Sequence, residues 1–146
     1  MDPLLGQRSH FPKKKELTHG WVLVDAKDLI LGRVSTKIAH LLMGKNKTNF
    51  QPGQLVGDHV AVINAKQVKV SGKKIDEKEY IWHSRYYGGM KTRSYRTQME
   101  IEPEKVILLT VKGMLPKTKY GRKLLTRLRV FPGAEHNLGG QKPAEI

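Results

Sequence analysis

Hydrophobic residues occur along the chain in short runs and in helical repeats that alternate with one another. Residues 60–63 form an unbroken apolar run, which predicts a strand covered on both faces, and residues 21–24 form a β-rich segment that ends in turn residues. Between these segments, apolar residues recur on one helical face and a glycine follows in the C-cap position: Val34, Ile38, Leu41, Leu42 and Gly44. The pattern therefore predicts a strand, a helix and a second strand.

The second half of the chain continues this alternation. Residues 68–70 and 80–83 are β-like, and we predict a fourth strand at 80–83, with helical character from Thr92 onward. Pro103, flanked by two acids, begins a further helix that Pro116 ends. The remaining segments predicted are a helix over 118–127 and a last strand or extended segment at 130–133.

Strands that alternate with helices favour an α/β fold around a small, largely parallel sheet, with helices on its faces. We expect one domain over residues 21–133. Residues 1–20 are polar, contain two prolines and show no periodicity, which is typical of a basic N-terminal arm that is extended or disordered alone. Residues 134–146 are predicted to form an irregular C-terminal tail.

The net charge of the chain is the most informative feature of its composition. The 146 residues include 27 Lys and Arg against 13 Asp and Glu, which gives a net charge of +14 and suits a protein that lies against a polyanion. The absence of cysteine excludes disulfides, thiolate zinc sites and cysteine nucleophiles. No apolar run approaches the ~20 residues that span a bilayer, and the first 20 residues lack the apolar stretch of a signal peptide. We therefore expect a cytoplasmic protein without a membrane partner.

Two long segments of the chain contain no Asp or Glu. One lies between Glu104 and Glu135, and the other covers residues 80–99, where basic residues alternate with aromatic ones. Such interleaving suits nucleic acid, because cations meet phosphates and rings stack on exposed bases. The aromatic and basic residues of the second segment are Tyr80, Trp82, Arg85, Tyr86, Tyr87, Lys91, Arg93, Tyr95 and Arg96.

The predicted helix at 118–127 has two contrasting faces. At about 100° per residue, four cations fall within an arc of roughly 140°, and the opposite side is apolar. The cations are Lys119, Arg122, Lys123 and Arg127, and the apolar side holds Gly121, Leu124, Leu125 and Leu128. A solvated face usually mixes both signs of charge, so a face of one sign favours phosphate contact.

Motifs of catalysis are missing from the sequence. It contains no phosphate-binding glycine loop and no HExxH motif, and its six histidines lack ligand-like spacing, so we expect no enzyme, metal, cofactor or small-molecule substrate. Asp25 and Asp58 are expected to cap turns or helices. His83 is structural or an RNA contact, and Tyr86 and Tyr87 either stack on RNA or pack on the sheet. Trp21 and Trp82 are expected in the core.

The positive net charge by itself is also compatible with three other functions. A nucleic-acid chaperone would carry the same charge without a fixed site. A nucleic-acid enzyme would need paired acids or metal ligands near the basic face. A membrane-surface protein would need Trp or Phe on the apolar face of an amphipathic helix, whereas 118–127 offers only leucine.

Beyond these patterns, the chain resembles the thirteenth large-subunit ribosomal protein family in its bacterial or organellar form. The likeness runs in order from Trp21 to Pro143, and the motifs together are far more specific than any one of them. The matching segments are 21–26, 31–33, 44–47, 57–58, 63–65, 70–74, 83–89, 111–117, 121–122, 128–133, 135–137 and 141–143. Two departures are Asn46, where the family usually has His, and residues 137–140, which replace a His- and Ala-rich piece.

The resemblance implies a three-layer α/β/α domain with a four-stranded sheet. It also implies a structural constituent of the large ribosomal subunit, located in cytoplasmic ribosomes, that binds the large-subunit ribosomal RNA, supports early assembly and contacts neighbouring ribosomal proteins. Combined with the charge pattern, it predicts a set of RNA-binding residues. These are Arg33, Lys45, Lys47, Lys73, Lys74, His83, Arg85, Tyr86, Lys91, Arg93, Lys112, Lys117, Lys119, Arg122, Lys123, Arg127 and Arg129.

Overall fold

The structure is a computed structural model and describes residues 11–145. Its strands are β1 (Trp21–Asp25), β2 (His59–Ile63), β3 (Glu79–His83), β4 (Met90–Ser94), β5 (Leu128–Val130) and β6 (Ala144–Glu145). Its α-helices are α1 (Leu31–Met43), α2 (Lys74–Glu77), α3 (Tyr95–Ile101), α4 (Pro103–Met114) and α5 (Lys119–Leu125). Short 3-10 turns occupy Lys14–Glu16, Ala65–Gln67 and Gly139–Gln141.

Four strands form one parallel sheet in the order β5-β2-β1-β6. The register pairs Val22 of β1 with Val60 of β2, and Val60 with Leu128 of β5. The apolar run at 60–63 is therefore a central strand, as its composition predicts. The α/β fold with a four-stranded parallel sheet is confirmed.

The sheet is buried on both faces. Val60 and Val62 on β2 belong to the main hydrophobic cluster with the helices, whereas Ala61 points to the opposite face and is also fully buried. The helical side of the core is built from residues that are almost completely shielded from water: Ile38 and Leu42 of α1, Val106, Ile107 and Val111 of α4, and Leu124 of α5. This shared core holds α1, α4 and α5 together in fixed positions.

Helix α1 ends where a close backbone approach requires glycine. Gly44 caps the helix with φ +77°, and its N–H donates to the carbonyl of His40 at 3.0 Å. A Cβ on Gly57 would lie 1.8 Å from the carbonyl oxygen of Leu42, so Gly57 must also lack a side chain. The end of α1 is thereby pressed against the loop that precedes β2.

The segment at 80–83 is a strand, but it lies outside the parallel sheet. It belongs to β3, which pairs only with β4 in an antiparallel hairpin. The prediction of helix from Thr92 is wrong over 92–94, because these residues pair with β3 and the helix begins after Ser94, whose Oγ accepts from the N–H of Thr97 at 3.4 Å. Residues 68–70 supply only an isolated bridge between Lys69 and Ile30.

The described parts of the two terminal segments, residues 11–20 and 134–145, are more ordered than the sequence predicts. In the tail, β6 pairs with β1 and supplies the fourth strand of the sheet, so the prediction of irregular structure is wrong at Ala144–Glu145. The first half of the predicted arm, residues 1–10, lies outside the described residues. Its second half contacts the domain: Pro12 is buried and its carbonyl accepts from the Gln54 amide at 3.1 Å.

Candidate nucleic-acid interface

The end of α4 and the whole of α5 present one group of cations, here called the α4–α5 surface. It consists of Lys112, Lys117, Lys119, Arg122 and Lys123, all exposed. The Thr118 hydroxyl caps α5 by accepting from the N–H of Gly121 at 3.4 Å. A Cβ on Gly121 would lie 1.8 Å from the carbonyl oxygen of Pro116, so the helix is seated tightly on the preceding turn. The opposite face buries Leu124 completely and Leu125 in part, as the helical pattern predicts.

The loop between β3 and β4 presents a second group, here called the hairpin surface. It contains His83, Arg85, Tyr86, Tyr87 and Lys91, all exposed. The loop is closed by a hydrogen bond from the N–H of Ser84 to the carbonyl of Gly89 at 2.9 Å, and a Cβ on Gly89 would lie 2.1 Å from the Ser84 hydroxyl. Tyr86 is 84% exposed and Tyr87 108%, so neither ring packs on the sheet. The alternative that these rings pack on the sheet is therefore wrong, and stacking on RNA stays a prediction.

Trp82 lies on the same hairpin and is 41% exposed, which contradicts its predicted place in the core. The reason is that the hairpin stands apart from the parallel sheet, so one face of β3 has no layer above it. The guanidinium of Arg93 lies 5.3 Å from the Trp82 ring centroid and also donates to the Gln98 amide oxygen at 3.1 Å. Arg93 is half-buried and lies 3.8 Å from a Glu102 carboxylate oxygen, so this predicted RNA contact is engaged within the protein.

Other predicted contacts are exposed but lie apart from these two groups. Lys74 opens α2 and shares a cleft with Gly32 at the start of α1, next to exposed Arg33. Lys73 precedes it and is exposed as well. Burial, with Lys74 close by, lowers the pKa of Lys78 in the same cleft. The remaining exposed members are Lys45, beyond the end of α1, and Arg129, on β5.

Two predicted contacts point into the protein instead. The Lys47 ammonium bonds the Asp58 carboxylate at 2.6 Å and two backbone carbonyls. The prediction that Arg127 shares the exposed face of α5 is wrong, because the helix ends at Leu125 and Arg127 lies past it. Its guanidinium donates to the carbonyl of Gly57 at 2.6 Å, and burial lowers its pKa.

The structure places two histidines beside these inward cations, which the sequence did not indicate. The His19 ring nitrogen lies 3.0 Å from the carbonyl oxygen of Gly57, and the His59 ring stacks on Trp21 at 4.7 Å. Burial, followed by the nearby Arg127, lowers the pKa of His59. These partners are separated by about 40 residues or more in sequence, so no local pattern could have revealed the cluster.

The acids are segregated from the α4–α5 surface. Half of the acids in the described residues lie on α2, the start of β3, the end of α3 and the start of α4: Asp76, Glu77, Glu79, Glu100, Glu102 and Glu104. Helix α4 therefore carries acids at its N-terminal end and Lys112 in its last turn, as its dipole favours. The α4–α5 surface therefore carries cations alone, whereas some of these acids are paired with cations of their own: Asp76 with Arg96, and Glu102 with Arg93 and Lys105.

Across residues 11–145, no group of three or more His, Asp or Glu side chains could hold a metal ion. Asp25 accepts from the N–H of Lys27 at 2.9 Å in a turn, as expected. Among the described residues, Asp58 caps no local turn or helix; it binds the Lys47 ammonium and accepts from the N–H of Gly20, which is distant in sequence. None of the helices in the described part of the chain is long and apolar enough to cross a membrane.

Comparison with known proteins decides the family. Residues 19–137 match the profile of ribosomal protein L13, which is more than half of the chain. The chain belongs to the ribosomal protein L13 family. This membership makes it a structural, non-enzymatic ribosomal protein and places it in the ribosome, in the cytoplasm, as the sequence motifs imply.

Relatives named large ribosomal subunit protein uL13 support the L13 assignment over nearly the full length. The protein of Thermotoga petrophila is 46% identical over 140 residues, which cover 96% of this chain and 94% of the relative. That of Aquifex aeolicus is 47% identical over 134 residues, covering 92% and 93%. That of Clostridioides difficile is 47% identical over 136 residues, covering 93% and 95%.

Proposed function

We propose that this protein binds the large-subunit ribosomal RNA through its α4–α5 surface and its hairpin surface and thereby supports early assembly of that subunit. Its structural role in the large subunit follows from its family. The observation that carries the RNA proposal is the α4–α5 surface itself, where five exposed cations stand on a docked helix and its flanking turn with no acid between residues 105 and 134.

The mechanism is binding without turnover. Each Lys or Arg that neutralises a phosphate releases condensed counterions, which makes affinity strongly dependent on salt. Arg122 adds a planar fork that can hold one phosphate through two hydrogen bonds. Because Leu124 and Gly121 fix α5 to the core, the backbone that carries these charges is in place before RNA arrives, and binding costs no entropy for folding the helix.

The hairpin surface adds a contact of another kind. The ring of Tyr87 is fully exposed and that of Tyr86 is almost fully exposed, so both can stack on unpaired bases. Arg85 and Lys91 lie close to them in sequence and can bind the adjoining phosphates. A surface that combines rings with cations recognises folded RNA with exposed bases. The uniform cationic surface of a chaperone without a fixed site does not need such a rigid loop.

Support for early assembly comes from the core. The sheet, α1, α4 and α5 bury their apolar residues within this one chain, so the binding surfaces need no other protein to form. Such a protein can hold an RNA fold at the start of assembly. Neighbouring large-subunit ribosomal proteins then complete its surroundings. Exposed acids outside the two RNA surfaces can meet basic side chains of such neighbours: Glu77, Glu79, Glu100 and Glu104.

The experiment compares two double variants that remove the same charge. Lys119→Gln with Lys123→Gln alters the α4–α5 surface, whereas Lys66→Gln with Lys105→Gln removes exposed cations that line a cleft together with Glu100 and Glu104. Binding to purified large-subunit ribosomal RNA is measured across a salt series. The first pair should reduce the slope of log affinity against log salt by up to about two, and the control pair should leave it unchanged.

Two results would contradict the proposal. Equal slopes for both double variants would show that phosphate binds the protein without regard to the α4–α5 surface. Equal wild-type affinity for folded RNA and for the same RNA unfolded in the absence of Mg²⁺ would instead indicate a chaperone without a fixed site.

A further inference from the structure

A pocket of about 450 Å³ opens between the last turn of α4 and α5, on the α4–α5 surface. Its apolar wall is formed by Leu109, Leu115, Pro116 and Leu125, and its cations are Lys112, Lys117 and Arg122. No acid lines it. Its volume falls within the ~300–1,000 Å³ typical of sites that hold small ligands.

Gly113 forms part of the pocket and has no structural need to be glycine. It lies inside α4, does not have a positive φ, and an ideal Cβ there would meet no atom within 4 Å beyond its chain neighbours and the backbone of its own helix. Glycine is among the poorest helix formers, and alanine would suit this position better in the free protein. Gly121 differs, since its Cβ would strike the Pro116 carbonyl. The space over Gly113 is open to solvent, so a partner can occupy it without any movement of the chain.

We propose that this pocket receives one unpaired nucleotide of the bound RNA, extruded from its helix. Its base lies against the apolar wall and over Gly113, and Lys112, Lys117 and Arg122 hold the phosphates on either side. This inference rests on the proposed function, because it names the part of the RNA that the α4–α5 surface binds.

The charge of the pocket favours a nucleotide over an apolar side chain of a protein segment. An apolar side chain from a neighbouring protein would pack on the apolar wall, but it would supply no negative group to the three surrounding cations. An extruded nucleotide offers both a flat apolar face and negative charge within one residue. Proteins commonly recognise RNA in this way, with unpaired bases splayed out onto side chains and their phosphates held by cations.

The test fills the pocket without changing charge. Gly113→Ala and Gly113→Leu place a small and a large side chain in the space, and Gly133→Leu is the matched control, because a Cβ there also meets nothing within 4 Å and Gly133 lies outside the pocket. Urea melts check folding, and Gly113→Ala should be at least as stable as the parent. Affinity for purified large-subunit ribosomal RNA is measured across a salt series.

Gly113→Leu should bind about tenfold more weakly, the loss expected for one base contact, while the salt slope stays unchanged because every cation is kept. Gly113→Ala should show a smaller loss in the same direction. Base-specific chemical probing of the RNA should reveal one unpaired nucleotide that the parent and Gly133→Leu protect and that Gly113→Leu leaves reactive.

Parent-like affinity and an unchanged footprint for Gly113→Leu would overturn the assignment of the pocket to a nucleotide. If such a variant binds RNA normally but is lost from assembled subunits, the occupant of the pocket is a neighbouring protein. The Lys119→Gln, Lys123→Gln variant separates the two levels. If its salt slope falls while Gly113→Leu binds normally, the RNA surface stands and the nucleotide pocket fails. If neither variant differs from the parent, the proposed function itself fails.

Discussion

The ammonium of Lys47 lies 2.6 Å from the carboxylate of Asp58 and joins three segments of the chain. It donates also to the carbonyl of Thr18 at 2.8 Å, in the arm, and to that of Val56 at 3.1 Å, before β2. An ammonium has three N–H donors, and all three have acceptors here. Lys47 therefore has no donor left for a phosphate while this arrangement holds, and its role is to fasten the arm to the domain.

Replacing Lys47 should therefore damage the fold. Lys47→Met leaves Asp58, whose side chain is 10% exposed, without its cation, and we expect a loss of about 2 kcal/mol, below the ~3–5 kcal/mol of a fully buried pair because Lys47 is 21% exposed. Lys45→Met is the matched control, since Lys45 is exposed and its loss should stay within ~0.5 kcal/mol. Urea melts measure both, and similar stabilities would refute a structural role for Lys47.

The same contacts lead to a prediction for the arm. Deleting residues 1–20 removes the carbonyls of Pro12 and Thr18 and the N–H of Gly20 from their partners, and at about 1 kcal/mol for each hydrogen bond the domain should lose about 2–3 kcal/mol. Deleting residues 1–10 leaves these contacts in place and serves as the control. Thermal melts should separate the two truncations, and coincident melting curves would mean that the arm contributes nothing.

Arg122 and Arg127 lie five residues apart and should behave in opposite ways. Arg122→Gln alters an exposed side chain, so stability should hold within ~0.5 kcal/mol while the salt slope of RNA binding falls by about one. Arg127→Gln removes the donor to the Gly57 carbonyl at 2.6 Å, so it should cost about 1–3 kcal/mol and leave the slope of the folded protein unchanged. Urea melts and salt titrations of both variants test this. A loss of stability in Arg122→Gln together with a reduced salt slope in Arg127→Gln would contradict the assigned roles.

The hairpin rings allow a prediction that separates binding from folding. Tyr86→Ala with Tyr87→Ala removes side chains that are 84% and 108% exposed, so the free energy of unfolding should change by less than ~0.5 kcal/mol. If each ring stacks on a base, the free energy of binding to the ribosomal RNA should weaken by at least ~2 kcal/mol, about 1 kcal/mol or more for each ring. Affinity equal to that of the parent, measured at the same salt, would leave the rings without a role in RNA binding.

How far the sequence predicts this molecule depends on the distance over which each feature is determined. Helix α1 and strand β2 follow from local periodicity, and the contrasting faces of α5 follow from residue spacing within one helix. Local patterns could not show that β3 pairs with β4 away from the sheet, because strand partners are chosen by tertiary packing.

The same limit applies to the predicted interface. Charge spacing predicts that Lys119 and Lys123 are exposed, but it also selects Arg127, and the family resemblance adds Lys47, although both of these cations are engaged within the protein. Only the fold brings Asp58 and the Gly57 carbonyl next to them. Gly113 belongs to the matching segment 111–117, but no sequence pattern indicates the pocket beside it, because the pocket is formed by residues that the fold brings together.

The ring of His59 has the surroundings of a pH-sensitive group. It stacks on Trp21 and lies near His19, Arg127 and Arg129, whose charges oppose its protonation, and only Asp58 favours it. Burial is the largest cause, and the pKa of His59 is lowered from its usual 6.5. The folded protein therefore binds fewer protons here than the unfolded chain, so stability should rise with pH in this range.

We expect the melting temperature to fall as pH decreases from 7 toward 5, through the unfolded-state pKa of 6.5 and toward the lower pKa of the folded state. His59→Gln keeps a planar polar group without a titrating proton and should flatten this part of the profile. The carboxylates with lowered pKa values, Asp28 and Glu102, start from 3.8 and 4.5, so their loss of stabilisation should appear only at lower pH and persist in the variant. Thermal melts of parent and variant at half-unit intervals measure the effect. A parent profile that is flat between pH 7 and 5, or a variant profile that falls as steeply as the parent's, would show that His59 is not the group responsible.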